Sequence, residues 1–379
     1  MPNILDYITW RGDLTFKQSE FNGVDNLILS RFSYFPLDDL FFGDKKITIK
    51  EAYLRAISIG MPENKILQIE DKDLFPALAN SKRFGELYIT NYINKIDKKE
   101  EKQFSAVTII LPDNTVYVAY RGTDNTLVGW KEDFNMSFSS DVPSQHDAVE
   151  YLEKVSKTIK KKIRVGGHSK GGNLAVFAGI FCDEKTKSQI ESVYNNDGPG
   201  MSSDVIETNE YKKMINKIHT YIPQSSVIGR LLYHEEKYSI IQSVQKGLMQ
   251  HDLYSWQVQG NNFICLDEVT NGSEIVNKVI KGWLDGVNPE QREEFIDILY
   301  NIFSSTNAQT LNELTTNWFK NAGILLKAYT ATDEANKKII SQTLSAILSI
   351  TKENLIESIP KPTIRKNKEK EVKLIKEKK

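Results

Sequence analysis

The apolar positions change their period near residue 104. Phe104 to Leu111 and Thr115 to Tyr120 are rich in β-branched and aromatic residues and read as two strands. Pro112-Asp113-Asn114 between them is hairpin-turn chemistry. A helical pattern follows, with Ala148, Leu152, Val155 and Ile159 on one face. Then come a short strand "IRVGG", a helix from Gly172 to Phe181, and the strands "IESVYNN", "KIHTYI" and "YSIIQSV" (Tyr238 to Val244). Strands alternating with helices predict an α/β fold, a mainly parallel sheet with helices on both faces.

The flanks read differently. Residues 1–100 look mainly helical. Val24, Leu27, Ile28, Arg31 and Phe32 stand at helical spacing, and Thr48 with Glu51 has the form of a capping box. The charge cluster "DKKEEKQ" marks a solvated connection into the sheet region, residues 101–270. Residues 271–360 are again helical, with Asn288 as N-cap, Pro289 at the first helical position, and Phe295, Ile298, Leu299, Ile302 and Phe303 on one stripe. Residues 361–379 are a lysine-rich tail, read as a solvated end.

Composition narrows the function classes. A net charge of −1 over 379 residues supplies no field that recruits nucleic acid. The two cysteines, Cys182 and Cys265, lie far apart and outside any CxxC pattern, so a disulfide framework or thiolate metal site is not expected. The start lacks signal-peptide features, and no stretch approaches the roughly 20 apolar residues of a membrane span. The expectation is a cytoplasmic protein with at most peripheral membrane contact, no nucleic-acid partner and no cofactor.

The chemistry concentrates in "IRVGGHSKGGNLAVFAGIF". Ser169 stands between glycines, directly after a strand and before a helix, the setting of a nucleophile elbow. The helix N-terminus aims amide groups and a positive dipole end at charge developing near Ser169, with the N–H of Lys170 as an oxyanion donor. The segment satisfies neither the phosphate-loop pattern nor GxGxxG. The alternative is a glycine-rich turn without chemistry.

A serine needs a base, and the chain has five histidines. His168 adjoins Ser169 and points elsewhere. His146 and His219 sit before the elbow or within a strand, and His234 lies in a polar stretch. His251 follows the last strand-like run, where this architecture delivers its histidine. For the acid, Asp197 ends the strand "IESVYNN" in a Gly-Pro-Gly turn, with Asp204 and Asp252 as reserves. An Asp before Gly also has a purely local turn role.

"VAYRGTDNTLVGWKEDFNMSF" with "VGGHSKGGNLA" resembles the fungal-type (class 3) lipases of the α/β-hydrolase superfamily over residues 104–260. The whole chain looks like a bacterial family of unknown function, the Mbeg-like proteins, through "FNGVDNLILS", "GHSKGGNLA" and "QHDLYSW". The resemblance implies Ser169 as nucleophile, the amides of Thr123 and Lys170 as oxyanion hole, and a lid over Asn125 to Phe134 with Trp130 and Asp133. One departure stands out. Class 3 lipases carry their acid after the next strand, where this chain has Gln224, Ser225 and Ser226. The expected function is hydrolysis of a small-molecule or lipid ester by Ser169, His251 and Asp197. The competing readings are a catalytically inactive hydrolase-like binding protein and an acyltransferase using the same residues.

Overall fold

The computed structural model describes residues 1–60, 66–97, 102–123, 136, 142–286, 289–305, and 324, 327, 330–334 and 336–341. Its centre is a nine-stranded sheet in the order β1 (Lys46–Thr48), β2 (Tyr88–Asp97), β3 (Lys102–Ile110), β4 (Thr115–Tyr120), β5 (Lys162–His168), β6 (Ile190–Asn196), β7 (Ile218–Pro223), β8 (Tyr238–Ile241) and β11 (Cys265–Leu266). Strands β4 to β8 are parallel, and antiparallel pairs flank them on both sides. A separate ribbon joins β9 (Val258–Gln259) to β10 (Asn262–Phe263). The β3–β4 hairpin turns where Asn114 takes a left-handed φ of 65° and Asp113 Oδ1 accepts from the Thr115 amide.

Strand β4 shows how the sheet is enclosed. All six of its residues are buried. Tyr117 and Ala119 face a layer built by helices α1 (Ile4–Arg11), α2 (Gly23–Phe32), α3 (Ile49–Ile59) and α4 (Asp71–Asn80), with Leu253, Tyr254 and Trp256. Val116, Val118 and Tyr120 face the helices Pro143–Thr158 and Lys170–Phe181. A parallel strand covered on both faces reads as continuously apolar, as β4 does. The α/β sheet is thus completed by the first hundred residues, which supply most of one of its two covering layers.

Those residues also supply strands. The sequence reading treats residues 1–100 as mainly helical, yet Lys46–Thr48 and Tyr88–Asp97 are β1 and β2. The reason is a bulge. Register shifts between Thr90 and Ile93, where Asn91 adopts a φ of 54°. The extra residue spaces Ile89, Tyr92, Ile93 and Ile96 as a helix would, and hides the period of two. The Thr48–Glu51 pair does form its reciprocal cap at the start of α3. Pro289 opens the helix Pro289–Ser304, in which Ile298 and Ile302 are buried. Asn288 and the lysine-rich tail lie outside the described residues. No helix among the described residues is long and apolar enough to cross a membrane.

Helix α2 is buried on every side although it carries Asp25, Asn26, Ser30 and Arg31. Each polar group is matched. Arg83 grips Asp25 with Nε–Oδ1 at 2.7 Å and Nη2–Oδ2 at 2.5 Å, and Tyr7 donates to the same carboxylate. Arg31 grips Asp71 through two nitrogens, and the Tyr254 hydroxyl donates to Asp71 at 2.7 Å. Removing one partner of such a pair leaves an uncompensated buried charge. Asp25→Ala is expected to destabilise the fold by about 3–5 kcal/mol, read as a lower urea midpoint; an unchanged midpoint contradicts this account of the layer.

Candidate active site

Strand β5 ends at His168, and the helix Lys170–Phe181 starts at the residue after Ser169, two positions earlier than the sequence pattern suggests. Ser169 occupies the single residue between them, at φ 58° and ψ −131°. That conformation is costly for any residue with a side chain, of order 1–3 kcal/mol. Neighbours hold it in place. The Ser169 amide donates to Asn196 O at 3.0 Å, and its carbonyl accepts from the Gly172 amide at 2.9 Å. Close packing explains the adjoining glycines: a Cβ on Gly171 would lie 2.2 Å from Tyr120 O.

Asp197 follows β6 directly, itself left-handed at φ 51°, and is 1% exposed. Its Oδ2 lies 2.6 Å from His251 Nδ1. Its Oδ1 accepts from Ser226 Oγ at 2.5 Å and from the Gly229 amide at 3.1 Å. The position after β7 that lacks a carboxylate therefore contributes a hydroxyl that orients the carboxylate from β6. His251 arrives on the short 3-10 helix Gly247–His251, beyond β8, with its side chain 27% exposed. A carboxylate on Nδ1 makes that nitrogen the proton carrier and leaves the Nε2 lone pair as the basic site.

Residue 251 thus meets residue 197 across 54 positions of sequence. The His251 ring also packs against that of His168, the neighbour of Ser169, with centroids 4.4 Å apart. Among the described residues no hydrogen bond joins Ser169 Oγ to His251. Where a serine and a histidine do act together, this hydrogen bond is often long in the unliganded protein and tightens when substrate binds.

The other candidates have other partners. His146 packs edge-on to Phe177, and His234 pairs with Glu236. His219 stacks on Tyr194, and burial lowers its pKa. Asp252 caps its own turn by accepting from the Tyr254 amide, and burial raises its pKa. Asp204 lies exposed in the first turn of the helix Ser203–Ile206.

The strand end Arg121-Gly122-Thr123 lies against the elbow. Arg121 is tied to Asn94 of β2 at 3.0 Å. A Cβ on Gly122 would fall 2.5 Å from His168 O and 3.2 Å from the Ser169 Cβ. Thr123 is the residue that follows this contact. Lys170 contributes the first amide of the following helix, while its buried side chain runs to β3 and donates from Nζ to Gln103 O at 2.9 Å. Trp130 and Asp133 lie outside the described residues. No group of three His, Cys, Asp or Glu side chains able to hold a metal occurs among the described residues.

Three residues near the site have no signal in the sequence pattern: Tyr34, Ser226 and, beyond its place in the motif, His168. Tyr34 Oη lies 3.1 Å from His168 Nδ1 and 3.3 Å from His168 O. Its approach leaves no room for a side chain at Gly122, whose Cβ would sit 2.1 Å from Tyr34 Oη.

Among solved structures, the chain is similar to lipase II from Rhizopus niveus, with 15% identity, a TM-score of 0.33, and 50% of this chain and 76% of that chain covered. It is similar to Lip2 lipase from Yarrowia lipolytica, with 12% identity, a TM-score of 0.34, and coverages of 53% and 78%. The native Rhizomucor miehei lipase propeptide complex gives 14% identity, a TM-score of 0.34, and coverages of 50% and 63%. Values this low leave the chemistry to the residues themselves. No curated protein sequence matches the chain. The Mbeg1-like family model matches residues 78–301, more than half of the sequence and both partners of the Asp197–His251 pair, and the chain belongs to that family.

Proposed function

We propose that this protein is a serine hydrolase that cleaves carboxylic esters, lipid esters included, through Ser169, His251 and Asp197. The observation that carries the reading is the Asp197–His251 hydrogen bond beside a serine on a strained strand-to-helix turn. Ser169 Oγ attacks the carbonyl carbon while His251 Nε2 takes its proton. Asp197 holds the Nδ1–H tautomer and stabilises the imidazolium that forms. The amides of Thr123 and Lys170 receive the oxyanion, each contributing about 3–4 kcal/mol to the transition state. Collapse of the tetrahedral intermediate returns the proton from His251 to the leaving alcohol. Water then releases the acid by the same steps in reverse roles.

The hydroxyl-to-imidazole gap motivates the second reading, an unreactive hydrolase-like scaffold that binds a partner. A fluorophosphonate probe separates the two, because only an activated serine forms the phosphonyl adduct. Transfer of the acyl group to an alcohol or amine uses identical residues and differs in product alone.

Wild-type protein is expected to label at Ser169 and to hydrolyse a short-chain nitrophenyl ester, while Ser169→Ala loses about 10⁶ in kcat. Labelling is read by mass spectrometry of the Ser169 peptide; an unlabelled wild type sinks the enzyme reading. Asp197→Asn is expected to keep the fold and lose about 10⁴ in kcat through the wrong imidazole tautomer. A loss under tenfold in steady-state kinetics would remove Asp197 from its role.

A further inference from the structure

We propose that His168, the residue before the nucleophile, is a positioning residue that clamps the backbone of His251 and so sets the place of the base. This rests on the hydrolase reading above. His168 Nε2 lies 2.9 Å from His251 O. A carbonyl oxygen only accepts, so Nε2 carries the hydrogen. In the neutral ring Nδ1 is then an acceptor, and the Tyr34 hydroxyl stands 3.1 Å away to donate to it. The two contacts select one tautomer of one buried ring. Burial, with His251 and then Arg31 nearby, holds His168 well below the usual histidine range, so the ring stays neutral at physiological pH.

The clamp sits where the loop needs it. Segment Gly247–His251 turns at Gly247, with a φ of 54°, and leaves Met249 65% exposed. Gln250, beside the base, is anchored by Trp256 Nε1 on its carbonyl at 2.8 Å. The carbonyl of the base itself is anchored by His168. Asp197 fixes the imidazole from one end and His168 fixes the main chain from the other. Because His168 and Ser169 are consecutive on a rigid elbow, the clamp also sets the separation of base and nucleophile. The N-terminal layer reinforces it. Arg31 lies over the rings of Tyr34 and Tyr254 at 4.8 and 5.6 Å, and Asp71 binds both Arg31 and Tyr254.

Displacing a catalytic group by about 1 Å costs on the order of 10²-fold in rate. His168→Leu, which keeps bulk and removes the donor, is expected to lower kcat by about 10²-fold with KM within about twofold. His168→Gln places an amide N–H near the Nε2 position and is expected to recover kcat to within about tenfold of wild type. Nitrogen-15 histidine NMR on the full chain should show a neutral imidazole in the Nε2–H tautomer whose signal is missing from His168→Gln. A folded His168→Leu with wild-type kcat overturns the proposal, as does equal loss in both variants or an Nδ1–H tautomer at residue 168. If wild type fails to label with fluorophosphonate, the hydrolase reading falls and the tautomer measurement still decides the clamp. Labelling of wild type and His168→Leu at the same rate removes the clamp alone.

Discussion

A serine in left-handed backbone is an unfavourable object, and the molecule is arranged to hold it. The strand before Ser169 is the central one of the nine-stranded sheet, and the helix after it is buried along almost its whole length. The Ser169 amide hangs on Asn196 O, and the Asn196 side chain is itself fixed by Gly167 O at 2.9 Å, Ser30 Oγ at 3.1 Å and Asn26. Strain of this kind persists only where surrounding contacts over-determine it. Here those contacts come from a neighbouring strand and from helix α2, whose Ser30 reaches Asn196 across 166 residues.

That dependence explains why α2 carries so many polar groups into a dry layer. A purely apolar helix packs against the sheet equally well but reads no register. Buried ion pairs and amide contacts add little net stability over hydrophobic replacements, yet they punish misplacement severely. Asp25 with Arg83 ties α2 to the segment after α4, and Arg31 with Asp71 ties it to α4 and, through Tyr254, to the turn after His251. The layer acts as a jig for the loop that bears His251.

The central part of this arrangement is legible from residue order alone. Glycines around Ser169, a strand before it and an apolar helix after it describe one backbone shape, and Asp197 and His251 follow from where strands end. Strand β2 is not legible, because its bulge imitates a helical period. Ser226 and Tyr34 are invisible for another reason. A hydroxyl donor has no spacing rule, and its value lies in the atom it happens to face, across 29 residues for Ser226 and 134 for Tyr34. The role of the first hundred residues escapes in the same way. Apolar stripes state that helices bury a face, but not that the face lies against the strands leading to Ser169.

The first residues and the end of the sheet region are joined directly. Asn3 Nδ2 donates to Tyr254 O at 3.0 Å, and the Val258 amide donates to Pro2 O at 3.1 Å. During synthesis the first helices can pack on one another, but the turn they also rest against follows 251 residues after Asn3. Contacts this distant in sequence slow folding, since a long loop must close before any of them is rewarded. The turn around Tyr254 can therefore dock onto residues 2 and 3 only after nearly all of the sheet has been made.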